Sequence, residues 1–404
     1  MEENNLDKPV TTKPAKKAPD VRLLHSIYLR NLLSFGPDTE RLELRALNVL
    51  IGPNGSGKSN LLDALSLLRA APKRLAAGLT GGAADWVWKG AVDATAHIEV
   101  VARNKSPKKP LRYSLDFRVD NYGMNLADER VADAVAAPNA TEAYFYFGYD
   151  KGRAMLNVKG DKRQLKREEV EPGASILEQR RDPDQYPEIT YLADAFGQMR
   201  FYREWSFGRN TAIRDSRKTD ERNDFLAEDS TNLGLMLNKL RRDSAAKKQV
   251  LNLLNELYEG ITDFDVLIEA GSVQVFLEEG PYTIPATRLS DGTLRYLSLL
   301  AVLCQPKLPP LICIEEPELE LHPHAVLAMG KLIKEASERT QLIVTTHSDI
   351  LLDILGSNPD DVIVCEKHDG QTEMTRLSEA ELRGWLERYS LSQLWTRGKL
   401  GGNR

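Results

Sequence analysis

The run Gly52-Pro53-Asn54-Gly55-Ser56-Gly57-Lys58-Ser59 satisfies the phosphate-binding template G-x-x-x-x-G-K-[ST] at every fixed position. Glycines allow such a loop to curl until successive backbone N–H groups face phosphate oxygens. The positive end of the following helix adds to the attraction. Asn54, Gly55, Ser56, Gly57, Lys58, Ser59 and Asn60 are therefore the candidate ATP-binding residues. Lys58 is expected to reach the β- and γ-phosphates, and the Ser59 hydroxyl to ligate Mg²⁺. A bare glycine turn between a strand and a helix would not require Lys and Ser at these two spacings.

A second set of residues has complementary chemistry. Leu311-Ile312-Cys313-Ile314-Glu315-Glu316-Pro317-Glu318 is an apolar run that ends in paired acids. In phosphate-loop ATPases an acid at such a strand tip stands near Mg²⁺. Glu315 is the candidate for that place, through a water, and Glu316 is the candidate base for the attacking water. Two carboxylates beside a polyphosphate repel each other and the ligand, and a divalent cation removes the conflict. Taken alone, the run would read as a strand that ends in solvated acids. Ser290, in Leu289-Ser290-Asp291-Gly292-Thr293, suits the N-cap of a helix over 294–303. Gln341-Leu342-Ile343-Val344-Thr345-Thr346-His347-Ser348 is a buried-strand pattern that closes on two hydroxyls and a histidine. His347 follows the acid-tipped strand by about thirty residues, which suits a sensor of the γ-phosphate, although a lone strand-end histidine is more often structural.

These residues need elements to hold them. Residues 21–35 and 42–51 read as strands, the second leading into the phosphate loop, and an amphipathic helix follows to Ala71-Pro72. The runs 311–314 and 342–345 have the short, continuous apolar character of buried parallel strands. Between them, strand patterns at 97–103, 111–119, 143–149 and 154–158 precede helical periodicity at 231–242 and 245–260. The expected fold is an α/β head, a mixed sheet flanked by helices, with an inserted α+β lid or arm lobe. The expected division is a disordered tail over 1–20, an N-terminal half-head over 21–72, the inserted lobe with a short helical hairpin over 73–286, a C-terminal half-head over 287–375 and C-terminal helices over 376–404.

Composition limits the alternatives. The 404 residues carry a net charge of −5, which excludes a uniformly basic nucleic-acid binder. No run of 18 apolar residues is present, so no membrane partner is expected. The N-terminal stretch lacks an apolar signal core and carries Pro9, Pro14 and Pro19. Cys304, Cys313 and Cys365 lie in apolar runs, as buried thiols of a reducing compartment do. A cytoplasmic location is expected.

The order of these motifs resembles the ABC-type ATPase heads of the RecF, OLD and SMC group, within the AAA-family ATPases. The phosphate loop with Asn60, then Ser290 to Gly292, then Glu315-Glu316-Pro317-Glu318 with Leu321-His322-Pro323, then Thr346-His347-Ser348 carry the resemblance, which spans about 21–72 and 287–375. It implies a head-to-tail homodimer around two Mg·ATP, in which Ser290 and Gly292 bind the γ-phosphate held by the other subunit and His347 is the switch histidine. Asp291 and Thr293 depart from the transporter-type signature, and Glu315 stands where Asp is usual.

Two distances narrow the group. The 231 positions from Lys58 to Leu289 hold too little heptad pattern for a long coiled-coil arm. The 57 residues after His347 leave no room for a TOPRIM nuclease, and the resemblance implies a separate nuclease or toxin as the effector. The resemblance suggests a nucleotide-gated switch in DNA repair or anti-phage defence. The alternatives are a non-hydrolysing ATP-bound scaffold that clamps a regulatory partner and, more weakly, a transporter ATPase subunit. DNA is an expected partner on one further ground. Arg200, Arg203, Arg209, Arg214, Arg217, Lys218 and Arg222 interleave with Phe201, Tyr202, Trp205 and Phe207, as on a nucleic-acid surface. The same pattern suits a lid over phosphates or a salt-bridged loop, given Glu204, Asp215, Asp220 and Glu221. The basic run 151–167 reads as a solvated face, and Trp86 and Trp88 as packing residues.

Overall fold

Every residue of the strand Leu47–Ile51 is buried, and so are the first four of Leu311–Glu315 and all of Gln341–Thr345. Strands apolar on both faces need cover on both, and a central parallel sheet is the arrangement that supplies it. The computed structural model describes residues 20–401 except 91–93, 106–108, 121–122, 139, 151, 159–160, 165–169, 172, 204, 210, 215–216 and 219–222. The expected tail over 1–20, save Asp20, and much of the basic run 151–167 lie outside the described residues. In the central sheet the order is Arg200–Tyr202, Leu311–Glu315, Gln341–Thr345, Leu47–Ile51, Val362–His368 and Gln371–Arg376. Its first five strands are parallel, and the last turns back antiparallel. Glu315 pairs with Thr345, and Thr345 with Leu50. The phosphate loop, the paired acids and His347 therefore all leave one carboxyl edge, where open α/β sheets bind ligands.

Alternate residues of these strands enter two cores. Leu50, Cys313, Ile343 and Ile363 pack with the phosphate-loop helix Lys58–Ala70, the helix Pro187–Gly197 and an antiparallel sheet. Val49, Ile51, Ile312, Ile314, Leu342 and Val344 pack with the helices Leu233–Arg242, Ser244–Leu257, Asp291–Leu303, Pro323–Ser337, Asp349–Leu355 and Leu391–Thr396. The antiparallel sheet has the order Leu42–Glu43, Leu24–Arg30, Ala96–Ala102, Leu111–Asp120, Gly123–Asp133, Phe145–Asp150, Arg153–Val158 and Asp161–Gln164. Leu111, Tyr113, Leu115 and Phe117 point one way into the core, as the period of two requires. Cys304, Cys313 and Cys365 are buried free thiols.

The region expected as an inserted lobe, 73–286, contributes strands to both sheets. Ala96–Ala102 pairs with Leu24–Arg30, so the strands after residue 95 extend the sheet that the N-terminal strand begins. Arg200–Tyr202 is an edge strand of the central sheet itself. The helices Leu233–Arg242 and Ser244–Leu257 lie within the core of the second half-head, with no projecting arm among the described residues. A hairpin missed from sequence, Ile261–Glu269 with Ser272–Glu279, follows them. Its two-residue turn, Ala270 at φ 49° and Gly271 at φ 77°, has the left-handed geometry of tight hairpins.

Two buried polar side chains bind layers together. The Gln341 amide accepts from the N–H groups of Leu23 (3.0 Å) and Leu24 (2.8 Å) and donates to the carbonyls of Leu24 (2.7 Å) and Arg45 (3.0 Å). Glu129, 1% exposed, accepts from the hydroxyls of Tyr113 and Ser175 and from Ile176 N–H at 2.8 Å, fixing the start of the helix Ile176–Gln179. Burial pushes its carboxyl from 4.5 up to about 7, against the pull of these donors.

Gln341→Leu removes this partner from the N–H groups of Leu23 and Leu24 and from the Leu24 carbonyl, each worth about 1–3 kcal/mol, while the Arg45 carbonyl keeps Asn48 Nδ2 at 2.7 Å. Denaturant unfolding is expected to show a loss of about 3 kcal/mol or more. Because the folded protein binds the Glu129 proton more tightly than the unfolded chain does, this residue's contribution falls as pH rises from 4.5 to about 7. Across that window the wild type is expected to lose about 3 kcal/mol relative to Glu129→Gln. Parallel unfolding curves at pH 4.5 and 7 with no such divergence would refute this.

Candidate functional site

Gly52, Gly55 and Gly57 take φ of 146°, 78° and 101°, and Gly57 caps the helix Lys58–Ala70. A side chain at Gly57 would collide with Thr372, whose Oγ1 lies 2.1 Å from an added Cβ. That tightness has a purpose in the packing. Thr372 Oγ1 donates to the Ser56 carbonyl at 3.0 Å and meets Ser34 Oγ at 2.6 Å, and Ser34 also accepts from Asn60 Nδ2 at 2.6 Å. The loop is thus held from outside, and Asn60 serves that brace. Asn54 and Gly55 form its exposed tip. The Ser56 hydroxyl is 1% exposed and has no hydrogen-bond partner among the described residues.

Lys58 lies along the loop and donates from Nζ to the carbonyls of Gly52 (2.8 Å) and Pro53 (3.0 Å). Burial lowers its pKa, and the nearby Cys365, Glu316 and Glu315 oppose that shift. Ser59 Oγ donates to Glu315 Oε1. The helix start and the acid-tipped strand, 256 positions apart in sequence, meet at this contact. A hydroxyl and a carboxylate are hard oxygen donors, a set that fits Mg²⁺.

Glu316 adopts φ 46°, a left-handed conformation that costs a non-glycine residue roughly 1–2 kcal/mol. Its N–H donates to Thr345 O (3.1 Å) and Thr345 Oγ1 (3.2 Å), which fixes the turn at the strand tip. The carboxylate is turned towards His347, with Oε1 3.5 Å from Nε2. His347 is positioned by Glu318, whose Oε1 accepts from Thr346 Oγ1 (2.6 Å), His347 N (2.8 Å) and Ser348 N (3.2 Å). Burial raises the Glu318 pKa despite these bonds. Trp395, from the last helix, lies beside the His347 ring with centroids 6.5 Å apart.

Ser290 and Gly292 are built into a separate group. The helix starts at Asp291, three residues before the sequence pattern places it, and Ser290 caps it by accepting from Thr293 N at 3.1 Å. Ser290 is exposed. Gly292 lies against the Glu320 carbonyl, which a Cβ would approach to 2.5 Å. Arg214, 7% exposed, holds the turn from behind. It donates to the carbonyls of Phe207 (2.9 Å), Gly208 (3.2 Å), Ala286 (3.2 Å) and Leu289 (2.6 Å), and to the Asp291 carboxylate.

Among the described residues the arginine–aromatic stretch is largely turned inwards, which favours the salt-bridged loop over the nucleic-acid surface. Phe201, Tyr202 and Phe207 are at most 4% exposed. Trp205 stacks on Tyr202 and Phe207, and Arg295 lies over Trp205 (5.7 Å) and Phe207 (5.5 Å). Arg200 donates to Met199 O at 2.8 Å and lies over Phe225 at 4.9 Å. Arg203 Nε reaches Glu315 Oε2 at 2.8 Å. Arg209 is exposed, and the side chains of Arg217, Lys218 and Arg222 lie outside the described residues. Trp86 is buried and donates to Thr80 O, as a packing residue.

Over residues 47–353 the chain matches the family described as AAA domain, putative AbiEii toxin, Type IV TA system. It belongs to that family. No curated protein matches it. Among solved structures it is similar to an Smc head bound to the C-winged helix domain of ScpA, at 16% identity and TM-score 0.57, over 89% of this chain and 99% of that one. It is also similar to an Smc head with an extended coiled coil bound to the C-terminal domain of ScpA, from Pyrococcus furiosus, at 15% identity and TM-score 0.55, over 90% and 98%. An Smc head with a coiled coil and joint from Pyrococcus yayanosii gives 14% identity and TM-score 0.50, over 90% and 99%. The fold is that of a phosphate-loop ATPase head of ABC type, as the motif order implies. Among the described residues no helix is long and apolar enough to cross a membrane.

Arg214→Met removes the buried cation that gathers four carbonyls and a carboxylate behind Ser290. Breaking such a network costs about 3–5 kcal/mol. Hydrogen exchange is expected to show loss of protection over residues 286–293, with protection of the central sheet retained. Equal protection of that turn in both proteins would exclude the role.

Proposed function

We propose that this chain binds Mg·ATP and hydrolyses it in a head-to-tail homodimer, and that the dimer is a nucleotide-gated switch for a separate effector. The observation that carries this reading is the contact of Ser59 with Glu315, which joins a complete phosphate loop to an acid-tipped strand. Backbone N–H groups of residues 54–60, the orphaned Ser56 hydroxyl and Lys58 would hold the phosphates, as nests and helix N-termini hold anions. Ser59 and Glu315 would hold Mg²⁺, which offsets phosphate charge and orients the terminal phosphate. Glu316 would take the proton of the attacking water, and His347 would orient Glu316 and sense the γ-phosphate. The left-handed turn at Glu316 supports this, since strain of that kind gathers at functional sites.

Exposed Ser290 and the Gly292 contact with Glu320 favour a surface that receives a second copy. Ser290 and Gly292 would complete the partner's site on its γ-phosphate side, so loss of that phosphate would release the dimer. The family description names a putative toxin of a type IV toxin–antitoxin system, which favours anti-phage defence over repair as the setting. The Smc heads bound by ScpA domains favour a protein partner seated on the head. DNA, if bound, would use residues other than the inward-facing arginines. The expected location is cytoplasmic.

Glu316→Gln is expected to lower phosphate release roughly 10²–10⁴-fold while ATP binding persists. The same protein is expected to double in mass with ATP and Mg²⁺, and Ser290→Arg to abolish that doubling. Unchanged phosphate release would remove Glu316 from the chemistry, and negligible wild-type turnover with an ATP-stable dimer would favour the scaffold reading.

A further inference from the structure

Both oxygens of Glu315 are occupied. Oε1 accepts from the Ser59 hydroxyl, and Oε2 accepts from Arg203 Nε at 2.8 Å. The same guanidinium reaches Asp63 Oδ1 through Nη1 and lies 3.5 Å from the Ser59 carbonyl through Nη2. Asp63 is one helical turn beyond Ser59 on the phosphate-loop helix. A planar cation therefore sits where a hydroxyl, two carboxylates and a carbonyl converge. That oxygen set would otherwise suit a divalent ion.

A purely structural ion pair would need Asp63 alone. Arg203 also engages the acid at the strand tip and so neutralises the charge that an ion held by Ser59 and Glu315 would neutralise. A divalent ion at those two groups would stand within a few ångströms of a guanidinium that cannot lose its proton, and the two cations repel. The forked geometry of arginine lets one arm leave Glu315 while the other keeps Asp63. Arg203 also directly follows the three-residue edge strand Arg200–Tyr202. Two and four residues further on, Trp205 and Phe207 enclose Arg295 of the helix that Ser290 caps.

We propose that Arg203 is a positioning residue that acts as the counter-ion of Glu315 in the nucleotide-free site and competes with Mg²⁺ for it. Asp63 retains the guanidinium once the ion takes Glu315. Arg203 thereby sets the Mg²⁺ concentration at which nucleotide binds. The inference rests on the Mg·ATP reading above.

The test is binding of a fluorescent ATP analogue to the full chain as free Mg²⁺ is raised. Losing one charge-assisted hydrogen bond that competes with the ion should lower half-saturating Mg²⁺ roughly tenfold in Arg203→Ala. Asp63→Asn returns the whole fork to Glu315 and should raise it severalfold. In the Arg203→Ala background Asp63→Asn should change nothing, because its effect passes through the guanidinium. An unchanged or raised midpoint in Arg203→Ala, with wild-type binding still Mg²⁺-dependent, overturns this inference and leaves the ATPase reading standing. Should Arg203→Ala not fold, an unchanged or lowered midpoint in Asp63→Asn overturns it alone. Wild-type protein that binds no nucleotide in Mg²⁺ sinks both.

Discussion

Like charges crowded at one sheet edge are the constraint on which this molecule is organised. Glu315, Glu316 and Glu318 follow one another within four residues, at the edge where the phosphate loop opens. Each carboxylate is managed separately. Glu315 is paired with a hydroxyl and a guanidinium, Glu316 is turned away by a left-handed backbone, and Glu318 is half-buried against three donors. No one device would suffice, because charges at such distances interact strongly once water is excluded. The positive groups that balance them come from distant stretches: Lys58 from the loop, Arg203 from the edge strand, and Arg295 from the capped helix. Burial lowers the pKa of Arg295, and Glu320, Glu318 and Glu316 oppose that shift.

The packing explains how such a site stays open. The phosphate loop is braced on its outer side by Ser34 and Thr372, while Lys58 ties Gly52 and Pro53 together from within. The turn at Ser290 is likewise held from behind by Arg214, which leaves the serine exposed. In both places buried contacts set the backbone, while Asn54 and Gly55 at the loop tip and Ser290 at the turn stay exposed. Preorganisation of this kind lowers the ordering cost when a ligand binds.

Much of this was legible in the sequence because it is local. The phosphate loop, the acid-tipped strand and the Ser290 cap each depend on residues within a few positions. The chain's own periodicity also reveals the buried strands at 47–51 and 341–345. Arg203 was not legible, because its meaning depends on a three-residue strand pairing with one that starts 111 positions after its own first residue, Arg200↔Ile312 being 112 apart. Composition showed arginines among aromatics, but it carries no information on which way they face. The hairpin at 261–279 was missed despite visible signals, the alternation of Phe264 with Val266 and of Val273, Val275 and Leu277, and the turn at Ala270-Gly271. How the inserted region attaches to the sheets was not legible for a related reason. A change in composition marks where the chain leaves one sheet, but not that it continues another.

The final helix has its own consequence. Ser392 donates to both oxygens of Asp353, at 2.9 and 2.8 Å, and Trp395 is buried beside the ring of His347. Asp353 belongs to the short helix that Ser348 starts, directly after that histidine. Cutting the chain before Ser390 would strip this carboxylate of both donors and bare one side of the imidazole. The tail therefore walls one side of His347, and whatever grips it also leans on the histidine.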